Sequence, residues 1–400
     1  MDKKKVIILC AAIALMASFV TGMLVYFSVV SKEKGNEIRV GAGSYEDIKK
    51  YMEISDLEKI INDTYYQNVE EKALIDGAMK GMVGSLNDPY SAYYTEEEYK
   101  EYNDTNSGTF VGIGAAAGPY NGSGQLKIET VYAGSPAETA GLHENDIITA
   151  VDGVAIAKMD YEGAVNLIQG PSGSTVVLAV LSDGQMKEVS IVRAEVQTQF
   201  VFYTMLDEQI ANIVITEFHG KCVDEFKAAL QFVKDEGAKG IVIDLRGNLG
   251  GNMKDAIDML DEIMPPSLLV YTIDKNDKRD EWKADDQYTD IPITVLVDGN
   301  SASSSEIFAA AVQDNARGKI VGTQTYGKGV VQSIVDMPYS GGGVKLTNAV
   351  YYTPSGKMIN DTGITPDEVV ELPADLTKLT QETDTQLQKG IEVVRSEIAG

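Results

Sequence analysis

An alternation of short apolar runs with an amphipathic helical pattern restricts the fold more than any other feature of this chain. ANIVITEF (211–218) and KGIVIDLRGNLGGN (239–252) have the length and the β-branched composition of strands. Between them, VDEFKAALQFVKDEG (223–237) has apolar residues at helical spacing. This order predicts a parallel-rich sheet with helices on its faces, and therefore an α/β fold. We expect this core to extend over residues 197–375.

A later apolar run of the same kind leads into a serine-rich helix start. IPITVLVD (291–298) predicts another buried strand, and apolar residues recur at helical spacing after Ser303. Ser303 therefore lies at a strand-turn-helix junction, where unpaired N–H groups can stabilise a developing negative charge. This is the local geometry of a nucleophile. Ser303 and Glu306 also fit a capping box, which for Ser303 alone is the more common role.

Lys328, in the motif YGKG, favours the catalytic interpretation. It follows Ser303 by 25 positions, and Gln332 could hydrogen-bond its amine. A serine with a lysine base is a known alternative to the Ser-His-Asp triad. The two histidines, His143 and His219, have no convincing acid partner near them in the sequence. A lysine base must be neutral near pH 7, and burial in an apolar pocket can lower its pKa enough.

Two glycine-rich segments could be mistaken for nucleotide-binding loops. Gly322 to Lys328 has the spacing G-x-x-x-x-G-K, but Gly329 stands where Ser or Thr should bind magnesium, and a strand-like pattern follows. The turn DLRGNLGG (244–251) lacks the G-x-G-x-x-G spacing of a dinucleotide loop. We therefore expect no nucleotide and no other cofactor.

SASSSEIFAAAVQD (301–314) and TYGKGVVQ (325–332) together resemble the carboxyl-terminal processing peptidases. These are Ser-Lys proteases that cut near protein C-termini and carry a PDZ domain. The resemblance extends from about residue 86 to residue 367, and it implies a ClpP/crotonase-like peptidase core. The family pattern assigns roles to five residues. They are Ser303 as nucleophile, Lys328 as general base, Gln332 as the group that orients the lysine, and Gly250 and Ser304 as amide donors of an oxyanion hole.

Residues 106–196 are expected to form the PDZ domain. They contain short strand patterns, glycine turns and a helical pattern, DYEGAVNLIQG (160–170). TFVGIGAAAG (109–118) resembles the PDZ carboxylate-binding loop, in which backbone amides grip a peptide C-terminus while the peptide adds as a strand. The expected partners are therefore the C-terminal tails of proteins or peptides. The loop amides belong to Gly112, Ile113 and Gly114.

Gln169 departs from the family pattern, because relatives usually have an arginine at this position. That arginine is expected to sense a bound tail, whereas glutamine has no charge and no guanidinium fork. Two outcomes follow for this chain. Either the PDZ domain mainly tethers the substrate and raises its effective concentration, which we favour, or activation uses other contacts.

The N-terminus predicts a membrane anchor. MDKKK is followed by 25 uncharged residues, Val6 to Val30, enough for a helix to cross about 30 Å of hydrocarbon. The preceding lysines favour a cytoplasmic N-terminus. A cleaved signal peptide is the alternative, but its apolar region is shorter and ends at a small-residue site. We expect an uncleaved anchor within residues 1–32, a single pass through the cell membrane, and a catalytic ectodomain outside the cytoplasm.

The remaining segments are predicted to be helical. Residues 33–105 suggest a linker up to Ile54 and then two helices, in a region that takes part in dimerisation in relatives. A homodimer or higher homo-oligomer is therefore expected. The polar, amphipathic tail over residues 376–400 predicts one more helix for packing or assembly.

Charge and cysteine content exclude several classes of function. The net charge of −26 argues against nucleic acid and anionic membrane surfaces as partners. Cys10 lies in the predicted anchor and Cys222 stands alone, so we expect no internal disulfide and no metal site. Two alternatives to a protease remain. One is a membrane-tethered PDZ protein without catalysis, and the other is an acyl-transfer or ligand-binding protein on the crotonase-like core.

Overall fold

A computed structural model describes residues 45–399 of the protein, except residues 133, 208 and 377–378. The predicted anchor, Val6–Val30, lies outside the described residues. Within the described part of the chain, no helix combines the length and apolarity that a bilayer crossing requires.

The chain divides into an N-terminal unit, which ends at Gly77, and a larger unit from Ala78 onward. The first unit contains helix α1 (Tyr45–Thr64) and the first part of helix α2 (Glu71–Gly84). Both helices agree with the sequence pattern, but the expectation of a linker up to Ile54 is wrong. The sequence has neither glycine nor proline between residues 45 and 76, so no residue type opposes an earlier helix start.

A short strand and a capped helix follow in the larger unit. They are β1 (Ala92–Tyr94) and α3 (Glu96–Ser107). Thr95 and Glu98 form a capping box at the start of α3, with the Thr95 N–H donating to the Glu98 carboxylate over 2.9 Å. The helix ends at Gly108, whose φ of 66° is the left-handed conformation that favours glycine at this position.

Residues 109–197 form a β-rich domain. Its main sheet has the order β3-β4-β5-β7-β8, and β6 pairs with β5. Strands β2 and β9 pair with each other, so the chain enters and leaves this domain through adjacent strands. Helix α5 confirms the predicted helix. The elements are β2 (Thr109–Gly112), β3 (Ala115–Tyr120), β4 (Gln125–Val131), α4 (Pro136–Thr139), β5 (Ile147–Val151), β6 (Val154–Ala155), α5 (Tyr161–Ile168), β7 (Thr175–Ser182), β8 (Gln185–Val192) and β9 (Ala194–Gln197).

The rest of the chain builds two sheets and four helices from described residues. The elements are β10 (Val201–Met205), β11 (Ile210–Ile215), α6 (Cys222–Asp235), β12 (Gly240–Asp244), α7 (Met253–Asp261), β13 (Leu268–Asp274), β14 (Arg279–Lys283), β15 (Ile293–Val297), α8 (Ser304–Asp314), β16 (Gly318–Gly322), β17 (Val330–Asp336), β18 (Gly343–Tyr352), β19 (Glu368–Val369) and α9 (Thr385–Ala399). The central sheet has the order β10-β11-β12-β15-β16-β19. Its strands are parallel from β11 to β19, which confirms the predicted α/β core.

The central sheet is covered on both faces, as its continuous apolar strands require. Ile241 and Ile243 of β12 belong to the core that contains α6, α7 and α8. Val242, which points to the opposite face, packs in a second cluster with Ile391 and Val394 of α9. The predicted tail helix is therefore part of the core.

The second sheet brings distant segments of the chain together. It has the order β1-β18-β13-β14, and β17 pairs with the long strand β18. In this sheet Ala92 of β1 lies opposite Lys345 of β18, and Gln332 of β17 lies opposite Thr347. The segment before the β-rich domain thus lies next to the strands that follow Lys328.

Replacing Ile391 with alanine tests the role of α9. This side chain is almost fully buried against the central sheet, so Ile391→Ala should lower the free energy of unfolding by about 2–5 kcal/mol. Chemical denaturation of the protein measures this change. Leu376→Ala, at a side chain that is 57% exposed, is the matched control and should change stability little. Equal effects of the two substitutions would show that α9 does not belong to the core.

Candidate active site

Ser303 stands at the tight turn between β15 and α8. Its φ of 56° and ψ of −114° lie outside the regions that non-glycine residues favour, so the backbone is strained here. The Ser303 N–H donates to Glu306 Oε2 over 2.8 Å, which holds the turn. The half-buried Ser303 side chain lines a cavity of about 560 Å³.

The two serines after Ser303 have structural contacts. Ser304 Oγ donates to the Gly251 carbonyl over 3.0 Å, and Ser305 Oγ donates to the Asn248 carbonyl over 2.9 Å. Both side chains are buried, although Ser304 also borders the cavity. The geometry therefore favours Ser303 among the three as the nucleophile.

Lys328 lines the same cavity as Ser303. Burial lowers the pKa of Lys328, and the charge of Lys345 lowers it further, while Asp88 and Glu306 oppose the change. The backbone approaches closely beside Lys328, since a Cβ on Gly329 would lie only 2.5 Å from Asn360 N. The site thus has a lysine whose neutral form is favoured by its surroundings.

Gln332 also lines the cavity, and its Nε2 donates to Thr347 Oγ1 over 3.2 Å. Among the hydrogen bonds of the described residues, none joins Lys328 Nζ to Ser303 Oγ or to Gln332. The role of Gln332 in orienting the lysine therefore stays a prediction.

Gly250 lies directly against Ser303. A Cβ at this position would be 2.9 Å from Ser303 Cβ and 3.1 Å from Ser304 N, so only glycine fits. However, the Gly250 N–H donates to Asn248 Oδ1 over 2.8 Å within its own turn. The Gly250 amide must leave this acceptor to serve in an oxyanion hole, and its role, like that of the Ser304 amide, stays a prediction.

The buried carboxylate of Glu306 links the two predicted catalytic residues. Its Oε2 accepts from the backbone N–H of Ser303 and from that of Lys328, at 2.8 and 2.9 Å. Its Oε1 accepts from Thr325 Oγ1 and from Gly327 N, at 2.6 and 2.7 Å. Burial raises the pKa of Glu306, and these four donors oppose that change. The sequence shows the capping pattern of Glu306 but gives no sign of its contacts with the 325–328 loop.

Tyr351 contacts the same two residues, Ser303 and Lys328, through their backbone carbonyls. Its hydroxyl lies within hydrogen-bond distance of the Lys328 carbonyl and of the Ser303 carbonyl, at 3.2 Å from the latter, and its single proton is shared between these two acceptors. Burial raises the pKa of the Tyr351 phenol well above its ordinary value, so the hydroxyl stays protonated and remains a donor. The same two side chains, Glu306 and Tyr351, therefore hold the backbones of Ser303 and Lys328. No sequence motif singles out Tyr351.

Comparison with known proteins identifies the family. Residues 209–370 match the model of peptidase family S41, residues 127–182 match that of the PDZ domain, and residues 16–98 match that of the activating protease CtpB N-terminal domain. The chain is 36% identical over 333 residues to the carboxy-terminal processing protease CtpA of Bacillus subtilis, which covers 82% of this chain and 71% of that protein. The chain belongs to the carboxyl-terminal processing peptidases of family S41.

Other relatives of this S41 peptidase agree with that assignment. A carboxyl-terminal-processing protease of Synechocystis is 33% identical over 330 residues, with 80% of this chain and 77% of that protein covered. A probable CtpA-like serine protease of Staphylococcus haemolyticus is 34% identical over 332 residues, and the match spans 82% of this chain and 66% of that protein. A solved putative S41 protease from Bacteroides fragilis shares the fold with a TM-score of 0.56, at 17% identity, over 83% of this chain and 91% of that one.

The predicted carboxylate loop of the S41 peptidase connects β2 to β3. The carbonyl of Ile113 accepts from Ala137 N at 2.7 Å, and the carbonyl of Gly114 accepts from Tyr132 N at 3.0 Å. Gly114 has a φ of 80°, and a Cβ there would lie 2.2 Å from Ser135 Cβ. The loop from Gly112 to Gly114 is thus fixed through its carbonyls. Recognition of a peptide carboxylate by its N–H groups stays a prediction.

Gln169 caps the C-terminus of α5 in this peptidase, and its side chain is exposed. An arginine is present nearby but comes from another position. The buried Arg193 donates through Nε to the Ile168 carbonyl at 2.7 Å and through Nη2 to the Leu167 carbonyl at 3.1 Å. This guanidinium is engaged in closing the helix end and does not take the place of the arginine that the family pattern leads us to expect at position 169.

Replacement of Glu306 with glutamine tests whether this side chain positions the site. The amide NH₂ of glutamine cannot accept a hydrogen bond. Two of the four groups that donate to the Glu306 carboxylate therefore lose their acceptor. We expect kcat of the S41 peptidase on a short peptide to fall about 100-fold, the size of effect that a small misplacement of catalytic groups produces. Glu236→Gln, at an exposed helix end, is the control. Parental kcat in a folded Glu306→Gln protein would contradict the positioning role.

Proposed function

We propose that this protein is a membrane-anchored serine endopeptidase that cleaves extracytoplasmic proteins near their C-termini through an acyl-enzyme on Ser303. The observation that carries the proposal is the shared support of Ser303 and Lys328. Both residues line one cavity, and both have their backbones held by Glu306 and Tyr351. A serine and a lysine with a lowered pKa, fixed relative to each other, are the parts that a Ser-Lys mechanism needs.

The reaction begins with a proton transfer at Ser303. The neutral Lys328 amine takes the Ser303 Oγ proton as the oxygen attacks the scissile carbonyl, and the ammonium then protonates the leaving amine. Water hydrolyses the acyl-enzyme with the same lysine as base. The negative charge of each tetrahedral intermediate lies against the amides of Ser304 and Gly250, once the Gly250 N–H leaves Asn248 Oδ1.

Substrate tails are recruited by the PDZ domain. Its strand β3 lies at an edge of the sheet, so a peptide can add there as a further strand, with its terminal carboxylate at the amides of Gly112, Ile113 and Gly114. Binding at this site raises the concentration of an unstructured C-terminus near the cavity. The arrangement accounts for cleavage close to the C-terminus.

A membrane-tethered PDZ protein that binds tails without cleaving them is the second candidate. The hydrogen bond from Gly250 N to Asn248 Oδ1 favours it, because this contact withdraws one predicted oxyanion donor. The supported Ser303–Lys328 arrangement favours the protease.

Labelling with a fluorophosphonate probe distinguishes the two candidates, since only an activated serine reacts. We expect the parent ectodomain to be labelled and Ser303→Ala to be unlabelled. Ser303→Ala and Lys328→Ala should each lower kcat/KM on an unstructured tailed substrate by about three orders of magnitude or more. Ser304→Ala keeps its backbone amide and is the matched control, with activity within about tenfold of the parent. A parent ectodomain that is not labelled would support the tail-binding protein. Loss of activity in Ser304→Ala alone would show that Ser304, and not Ser303, is the nucleophile.

Membrane anchoring through Val6–Val30 has its own test. The full-length product should stay in the membrane fraction after carbonate extraction, because a spanning helix is not released by high pH. Protease added outside the cell should remove the ectodomain. A variant that lacks residues 1–32 should be recovered in the soluble fraction. A soluble product of the full gene whose N-terminus lies near Ser31 would show that the segment is a signal peptide.

A further inference from the structure

We propose that Asp88 and Tyr90 are positioning residues for the Lys328 amine, so that the segment before the PDZ domain forms part of the catalytic cavity. The proposal rests on the proposed function of Lys328 as the general base. Sequence motifs around Ser303 and Lys328 do not involve this segment, which lies more than 200 positions earlier in the chain.

Tyr90 is the aromatic surface on which the lysine lies. Lys328 Nζ is 4.7 Å from the centroid of the Tyr90 ring, which is within the range of a cation–π contact. Both side chains are half-buried, so the ring shields one side of the amine from water. The contact restricts the lysine side chain, which otherwise has four rotatable bonds.

Asp88 acts on the lysine through Gln332. The Asp88 carboxylate accepts hydrogen bonds from Tyr90 N at 3.1 Å and from Ser91 Oγ at 2.5 Å. Ser91 Oγ accepts from Thr347 N at 3.0 Å, and Thr347 Oγ1 accepts from Gln332 Nε2 at 3.2 Å. A chain of hydrogen bonds thus leads from Asp88 through Ser91 and Thr347 to Gln332.

The direction of this chain is fixed by its donors and acceptors. An ionised carboxylate only accepts, so the single proton of the Ser91 hydroxyl is donated to Asp88, and Ser91 Oγ accepts from Thr347 N. The NH₂ group of the Gln332 amide faces Thr347. The Gln332 carbonyl oxygen Oε1 is left as the group that can accept a hydrogen bond from Lys328. Asp88 therefore holds, through Ser91, the position of Thr347 against which the Gln332 amide is oriented.

The second sheet keeps these parts in register. Strand β18 pairs with β1 on one side and with β17 on the other, which places Thr347 opposite Gln332 and Lys345 opposite Ala92. The Thr347 N–H also donates to Ser91 Oγ at 3.0 Å. The Asp88 segment is thus tied to the same strand that carries the partner of Gln332.

Charges around Lys328 give this arrangement a measurable signature. Burial lowers the pKa of Lys328, Lys345 lowers it further, and Asp88 and Glu306 raise it. The Tyr90 and Tyr351 phenols also face the site and are neutral, because burial raises the pKa of each. For Asp88, burial opposes ionisation, but its hydrogen bonds and the charge of Lys328 outweigh this and lower its pKa.

The test is the pH dependence of kcat/KM for a short peptide, measured on the ectodomain. In the acidic limb, activity rises as Lys328 loses its proton. Asp88→Asn removes a negative charge that favours the protonated lysine, so the limb should move to lower pH. Lys345→Gln removes a positive charge that disfavours it, so the limb should move to higher pH. Glu97→Gln, an exposed residue on α3, is the charge-matched control and should not move the limb.

Positioning is measured on the alkaline plateau, where the lysine is neutral in every variant. Asp88→Asn should lower kcat about tenfold with KM changed less than about twofold. The asparagine amide has one acceptor oxygen in place of two, so it cannot hold both Tyr90 N and Ser91 Oγ, and Thr347 and the Gln332 amide are less firmly positioned. Tyr90→Leu should lower kcat by a similar factor, and Tyr90→Phe, which keeps the ring, should stay within about threefold of the parent.

Two outcomes would overturn the proposal. One is an unmoved acidic limb in Asp88→Asn and Lys345→Gln. The other is parental plateau kcat in folded Asp88→Asn and Tyr90→Leu proteins. Neither outcome affects the proposed function. That proposal fails if the fluorophosphonate probe does not label the parent ectodomain, or if Lys328→Ala remains active.

Discussion

The buried carboxylate of Glu306 is the interaction on which the rest of the site depends. An ionised group in the interior is unfavourable unless all its lone pairs find donors, and Glu306 finds four. Two of those donors are the backbone amides of Ser303 and Lys328. Any movement of the helix start relative to the 325–328 loop would leave the charge without part of its solvation. The distance between Ser303 and Lys328 is therefore controlled by a group that need not contact a substrate.

The turn after β12 holds the segment around Ser303 from another side, again through buried polar groups. Asn248 is fully buried, and its side chain donates to the Ile215 carbonyl and accepts from Gly250 N. Its carbonyl accepts from Ala302 N and from Ser305 Oγ. Arg246, two residues earlier, binds the carboxylates of Asp244 and Asp384 and so connects this turn to the start of α9. The tail helix thus stabilises the catalytic turn as well as the sheet.

Features that depend on local pattern could be predicted from the sequence, and features that depend on distant pairing could not. The strands and helices of the central core follow from periodicity, and the motifs around Ser303 and Lys328 pointed to residues that line one cavity. The contact of Ser91 with Thr347 requires β1 and β18 to pair across more than 240 positions, and no local signal reports that pairing. Likewise, the Gly250–Asn248 hydrogen bond depends on how the turn closes, which the glycine spacing does not determine.

The two ends of the β-rich domain lie side by side where the domain joins the rest of the chain. Thr109 lies opposite Gln197, and Thr198 N donates to the Gly108 carbonyl at 2.7 Å, so the two ends of the domain meet within one hydrogen bond. To the remainder of the chain the whole domain is equivalent to one surface loop whose ends are already closed. Exchange of the whole domain would therefore alter a single junction and leave the turns around Ser303 and Lys328 in place.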